Sequence, residues 1–169
     1  MAAKKIIVLN QTQIRQKVDR MTFQIFEENL EEKEVIMAGI VERGYTLAKR
    51  VKEKLEKISS IKVTLMMITL DKDNTFLEAK TDIPIEIAAN KVVIIVDDVL
   101  NSGRTLAYGL GVFLSVPLKK LQTMVLIDRS HRIFPVSTDF TGLKLATILK
   151  EHVDVVLDEP GEEDAVYLR

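Results

Sequence analysis

Residues 92–105 read VVIIVDDVLNSGRT, and this stretch decides the fold. Val92 to Val96 are five consecutive β-branched residues, the mark of a strand buried on both faces of a parallel sheet. Its carboxyl end delivers adjacent carboxylates, Asp97 and Asp98. A short turn with Asn101, Ser102, Gly103 and Arg104 then leads to Thr105 and a helical pattern. Gly103 allows close backbone approach and unusual φ. Amides at the helix start, with the Ser102 and Thr105 hydroxyls, make an anion site assisted by the helix dipole. Arg104 adds a positive charge nearby.

The two halves of this stretch call for different chemistry. Carboxylates repel a phosphate, but they accept hydrogen bonds from the hydroxyls of a neutral polyol. A phosphate in the turn and a diol on the acids together describe a ribose 5-phosphate. Two other readings are weaker. A Walker-B strand would need a GxxxxGK[ST] loop, and the chain has none. A receiver-type acidic pocket would spread its acids over several strand ends and has no use for Ser-Gly-Arg-Thr.

Outward from this segment, apolar runs alternate with helical periods. Ile6–Leu9 predicts a short strand, and Asn10 with Gln13 has the form of a reciprocal helix N-cap. Ile14, Val18, Met21 and Ile25 line one helical face, and the acidic stretch Glu27–Glu34 ends that helix. Val35–Ile40 reads as a strand. Gly44 then opens a helix marked by Leu47, Val51, Leu55 and Ile58. Ile61–Leu70 is another strand, Asp71–Asn90 a long loop with room for a hairpin, and Thr105–Leu114 a helix. Leu121–Ile127, Val153–Leu157 and Ala165–Leu168 complete the strand candidates. This order predicts an α/β fold with a central, mainly parallel sheet and helices on both faces. A single domain of residues 1–169 is expected, with a core of about 1–128 and a small C-terminal hood of about 129–169. Ligands of such sheets bind beyond the carboxyl ends of the strands. Arg43, in the turn after Val35–Ile40, can contact a diphosphate through its fork, although by itself the stretch reads as a common strand–helix turn with an exposed Arg.

Composition bounds the chemistry. The 169 residues are 47% hydrophobic and 29% charged, which excludes a disordered or collagenous chain. Zero cysteines exclude a disulfide framework, a thiolate zinc site and a thiol nucleophile. Two histidines, His131 and His152, are too few for a three-His site. The net charge of −1 gives no overall attraction to nucleic acid. No apolar run approaches the ~18 residues of a membrane span, and the N-terminal apolar run is too short for a secretory signal. A cytoplasmic location without membrane contact is the expectation.

The segment at Asp97–Thr105 resembles the phosphoribosyl pyrophosphate motif of the type I phosphoribosyltransferases. The resemblance covers nearly the whole chain, and Asp128-Arg-Ser-His-Arg132 points to the pyrimidine-operon attenuator and uracil phosphoribosyltransferase branch. It implies that Asp97 and Asp98 hold the ribose 2- and 3-hydroxyls and that Asn101, Ser102, Gly103, Arg104 and Thr105 hold the 5-phosphate. It also implies that Val41, Glu42, Arg43 and Gly44 carry pyrophosphate. Asp97, Asp98 and Arg43 are thus the expected catalytic residues. Phosphoribosyl pyrophosphate and a nucleobase, best uracil, are the implied substrates, with Mg2+ accompanying the diphosphate and no dedicated metal cage. A homo-oligomer is implied as well.

Departures from the family pattern sharpen these expectations. Purine salvage members carry an acid at Asn101 and a Lys at Asp128, so a purine acceptor is disfavoured. The attenuators bind messenger RNA through a basic, His-containing face. This chain has Asp19, Phe23, Ser137 and Leu143 where that face usually has a hydroxyl residue, His, Arg and Lys. Arg20, His131, Arg132 and Lys144 remain, so RNA is a disfavoured partner. Asp128, Arg129, His131, Phe140 and Thr141 are candidates for the base pocket. Phe134 and Val136 could join them, and Phe140 and Thr141 serve equally well as hood core. The loop after Leu70 should close over pyrophosphate; Leu70-Asp-Lys-Asp73 is the nearest counterpart of the family's Tyr-Arg-Asp-Asp element, and Lys72 and Lys80 read as solvated.

Overall fold

A computed structural model describes residues 5–71 and 78–169. Lys72 and Asp73, part of the expected closing loop, lie outside these residues. The elements run β1 (Ile6–Leu9), α1 (Gln11–Glu28), β2 (Glu34–Ile40), α2 (Arg43–Ile58), β3 (Lys62–Asp71) and β4 (Glu78–Thr81). A 3-10 turn at Ile85–Ala88 follows, then β5 (Val92–Leu100), α3 (Arg104–Val112), β6 (Lys120–Asp128), β7 (Phe140–Lys144), β8 (Val153–Val156) and β9 (Ala165–Leu168).

Six strands form the main sheet in the order β4-β3-β2-β5-β6-β7. All neighbours are parallel except β3 and β4, which pair antiparallel; β4 falls within the predicted long loop. From β2 the chain moves outward to β3; from β5 it moves the other way to β6 and β7. The reversal lies between β2 and β5, where doubly wound sheets open a crevice.

Helices cover both faces, as the sequence predicts. Side chains alternate along β5, so Val92, Ile94 and Val96 join a core with Ile14, Met21, Leu47 and Val51 of α1 and α2. Val93 and Ile95 face the opposite core with Leu106, Phe113 and Ala88. The Asn10–Gln13 capping box is formed in both directions, at 2.9 Å each. Ile14, Val18, Met21 and Ile25 are all buried. Burying each such side chain stabilises the fold by roughly 1.5–3 kcal/mol.

Three features differ from expectation. First, β5 runs past the acid pair to Leu100, because Val99 and Leu100 still pair with Ile127 and Asp128 of β6. Second, Phe140–Lys144 forms β7 on the edge of the main sheet. Third, β1 pairs antiparallel with β9 in a separate sheet of order β1-β9-β8. Ile6 and Ile7 are mostly exposed, and so half-covered a strand suits an antiparallel sheet rather than a parallel one buried on both faces. Sheet membership therefore does not divide at residue 129: β7 belongs with the main sheet, and the N-terminal strand with the hood. Among the described residues, no helix is long and apolar enough to cross a membrane.

The small sheet is tied to α2 by Arg50. Its Nη1 donates to Asp164 at 2.6 Å, its Nη2 donates to Asp164 at 3.0 Å, and Nη2 also pairs with Asp158. Burial pushes the Asp164 carboxyl up, but the Arg50 guanidinium and the Asp158 amide outweigh it and hold the group below the usual range. A carboxylate of lowered pKa contributes stability above its unfolded value, near 3.9, and loses it as pH falls through the folded value. Asp164→Asn should therefore cost about 1–3 kcal/mol at pH 7. The difference from wild type should shrink below about pH 4, as denaturant titrations at pH 7 and pH 3 will measure.

Candidate active site

The crevice between the β2 and β5 ends holds a cleft of about 420 Å³. Ile40 to Arg43 wall one side, Thr69 and Leu70 of β3 another, and Asp97, Asp98, Val99 and Thr105 the third. The turn after β2 is anchored by the Val41 amide, which donates to the Ile68 carbonyl at 3.0 Å, and its Val41–Glu42 peptide is cis. Gly44 lies just inside α2. A Cβ there would meet the Val96 carbonyl oxygen at 2.5 Å and the Asp97 Cα at 2.9 Å. Only glycine lets the first turn of α2 abut the strand that carries the acids.

Two helix N-termini border this cleft. Glu42 is the N-cap of α2 and Gly103 that of α3; neither makes a side-chain cap bond, and neither helix has an acid in its first turn. Their first-turn amides have no intrahelical acceptors, and the dipoles favour anions. The acids lie between them. Asp97 is 9% exposed and continues the row of Val93 and Ile95; Asp98 continues that of Ile94 and Val96. A ligand across the strand end therefore meets both carboxylates. Asp97 Oδ1 accepts from the Asp98 amide at 2.9 Å, and Asp98 Oδ1 from the Val99 amide at 2.8 Å, which orients both groups.

Asn101, Ser102, Gly103 and Arg104 form the turn beside the cleft rather than its wall. Gly103 has φ +85°, and a Cβ on it would strike Val136 Cγ2 at 2.4 Å. The Ser102 hydroxyl accepts from the Arg104 amide at 3.3 Å. The Arg104 guanidinium lies over the Tyr108 ring, one helical turn on. Asn101 is exposed. At the cleft mouth, Arg43 pairs with Glu159 of the β8–β9 connection at 3.3 Å, both about half exposed. Such a pair is weak and can yield to a ligand of higher charge.

The residues expected around the base are occupied elsewhere, and none lines this cleft. Asp128 is 3% exposed and takes both Arg132 Nη groups at 2.8 Å and the Ser130 amide at 2.9 Å. The Arg132 fork outweighs burial and holds the Asp128 carboxyl below the usual range. Arg129 is buried and donates to Thr147 Oγ1 and the Glu151 carbonyl. His131 Nε2 meets the Thr147 carbonyl oxygen at 2.6 Å. Phe140 packs in the core beside α1, and the Thr141 hydroxyl meets Thr138. Phe134 and Val136 instead cover the Ser102–Gly103 turn. Of the wall residues, Leu70 opens the Leu70-Asp-Lys-Asp73 stretch, whereas Ile40 and Thr69 had no motif to mark them and come there by strand order.

The cations named for RNA are partly engaged as well. Arg20 donates to the Thr141 and Gly142 carbonyls at 3.0 and 2.6 Å, and Asp19 pairs with Lys54 at 3.2 Å. Among the described residues, no group of three acidic or histidine side chains could hold a metal alone.

Comparison with known proteins agrees with this architecture. The phosphoribosyl transferase domain family matches residues 7–160. The bifunctional protein PyrR of Fusobacterium nucleatum is 36% identical over 178 aligned residues, covering 99% of this chain and 100% of its own. PyrR of Bacillus subtilis is 36% identical over 176, covering 96% of each chain. A hypoxanthine phosphoribosyltransferase of Trypanosoma cruzi superposes with a TM-score of 0.81 at 18% identity, over 99% of this chain and 96% of its own. A hypoxanthine-guanine phosphoribosyltransferase of Bacillus anthracis gives 0.69 at 21%, over 83% and 82%. At those identities the two structures speak for the fold, while the domain match and the full-length PyrR relatives go further: the chain is a phosphoribosyltransferase and belongs to the type I phosphoribosyltransferase family, in its PyrR branch.

Proposed function

We propose that this enzyme transfers the phosphoribosyl group of phosphoribosyl pyrophosphate to uracil and releases pyrophosphate. One observation carries the reading: a single cleft joins an acid pair to two uncapped helix N-termini. In this reading Asp97 and Asp98 accept hydrogen bonds from the ribose 2- and 3-hydroxyls. The turn from Asn101 to Thr105 takes the 5-phosphate, and Val41 to Gly44 take the diphosphate. Arg43 leaves Glu159 to meet it. The bond from C1 to the diphosphate oxygen breaks, uracil N1 bonds to C1, and the N1 proton is lost to solvent. Most of the acceleration comes from positioning and from stabilising the departing anion.

Mg2+ suits this donor set. The ion needs one or two carboxylates and otherwise takes water and substrate phosphate oxygens, and Asp97 and Asp98 lie beside the diphosphate turn. It would neutralise charge on the diphosphate. The acceptor assignment leans on the full-length PyrR relatives and on Asn101, which cannot serve as a proton acceptor. Asp128 is turned into Arg132 and argues neither for nor against a purine.

Uracil should drive pyrophosphate release well above hypoxanthine or guanine in a panel of bases. Preference for a purine would overturn the acceptor, and neither turnover nor phosphoribosyl pyrophosphate binding would reject the whole reading. Asp97→Asn and Asp98→Asn should each lower kcat/KM by roughly ten- to a hundredfold, the loss of one charge-assisted hydrogen bond, with little change in melting temperature.

The relatives are named bifunctional, and the family resemblance implies leader RNA as the partner of a second activity. Here that face has lost several cations, and Arg20 and Arg132 are spent on internal contacts. Since phosphate neutralisation dominates such affinity, RNA binding should be weak. A gel shift with the leader of the organism's own pyrimidine genes, at physiological salt, should show no retention at concentrations that saturate the enzyme with substrate; tight retention would restore the regulatory activity.

A further inference from the structure

The pair of buried Asp128 and solvent-facing Arg132 stands outside the cleft, yet it is connected to it. Arg132 gives both Nη groups to Asp128 and its Nε to the Val136 carbonyl at 2.8 Å. Asp128 also accepts from the amide of Ser130, which has φ +59°. One carboxylate at the end of β6 thereby fixes both ends of the turn 130–136. That turn lies on the Ser102–Gly103 peptide. The Ile133 and Phe134 amides both donate to the Ser102 carbonyl at 2.9 Å, and Val136 packs against the Gly103 Cα. The Ser102–Gly103 peptide is trans, since the single cis bond among the described residues is Val41–Glu42. In a trans peptide the C=O and the following N–H point in opposite directions. Holding the Ser102 carbonyl toward the hood therefore turns the Gly103 amide away from it.

We propose that Asp128 is a positioning residue for the phosphate turn: acting through Arg132, it clamps residues 130–136 onto the Ser102 carbonyl and so sets the direction of the turn's amides. This rests on the reading of residues 101–105 as the 5-phosphate site. It gives Asp128 a role that needs no contact with the base. Arg132 likewise acts inside the molecule rather than on RNA. The pyrophosphate turn, on the far side of the acid pair, is not part of the clamp.

Calorimetric titration with ribose 5-phosphate and, separately, pyrophosphate tests the clamp in the full-length protein. Asp128→Asn should weaken ribose 5-phosphate by roughly tenfold or more, the loss of hydrogen bonds to a charged group, and leave pyrophosphate within about twofold. Arg132→Lys keeps the charge but loses the fork and should weaken ribose 5-phosphate by roughly three- to tenfold. Unchanged ribose 5-phosphate affinity in both variants overturns the proposal. Equal loss of both ligands does so too, because it marks a general structural role. Wild type that binds pyrophosphate but not ribose 5-phosphate defeats the underlying assignment of the turn, and the clamp with it.

Discussion

The parallel pairing of β2 with β5 governs everything functional in this molecule. It aligns Gly39 with Val96, so β2 ends beside the acid pair of β5. The chain leaves β2 into α2 and leaves β5 into α3. Two helix starts consequently open at neighbouring points over one sheet edge. Gly44 then allows α2 to settle against the Asp97 backbone. No individual contact in the cleft would survive a shift of that pairing by one residue, because every side chain on one strand would change face.

Charge is distributed economically around this edge. The N-cap residues of both helices make no side-chain cap bond, while the guanidinium groups of Arg50, Arg129 and Arg132 are committed to internal partners. Those side chains bind the small sheet, the turn at 147–151 and the turn at 130–136 respectively. Arg43 is different, since it lines the cleft, is itself half exposed, and makes a single contact of 3.3 Å to Glu159. Structural cations are thus each tied by several hydrogen bonds, and the cation lining the cleft is held loosely. That division fits an enzyme in which backbone dipoles supply the fixed electrostatics and few long side chains must reorganise.

Local features were legible in the sequence because they depend on local physics. The β-branched run at Val92–Val96, the capping box at Asn10 and the apolar faces of α1 and α2 all appear where expected. The gathering of Val41–Arg43, Asp97, Asp98 and Thr105 also follows from strand–turn–helix patterns. Non-local choices were not legible. Nothing in Ile6–Leu9 says that it pairs with Ala165–Leu168, and Phe140–Lys144 carries too weak an alternation to announce β7. The pocket side chains assigned from resemblance met a similar limit. A sequence names Asp128 and Arg132 four residues apart, but only coordinates reveal that they consume each other.

The alliance of β1 with β9 has a bearing on how the chain is made. Ribosomal synthesis delivers β1 long before its hydrogen-bonding neighbour, since Ile6 pairs with Leu168. The six-stranded sheet and its helices can assemble in the interval, whereas the small sheet must wait for a closure spanning residues 6 to 168, with the entropic penalty that such long-range contacts carry. Leu9, Val155 and Val166 stay open to water until then. Quality-control proteases and chaperones would therefore meet nascent molecules in which the small sheet closes after the cleft of the main sheet is already in order.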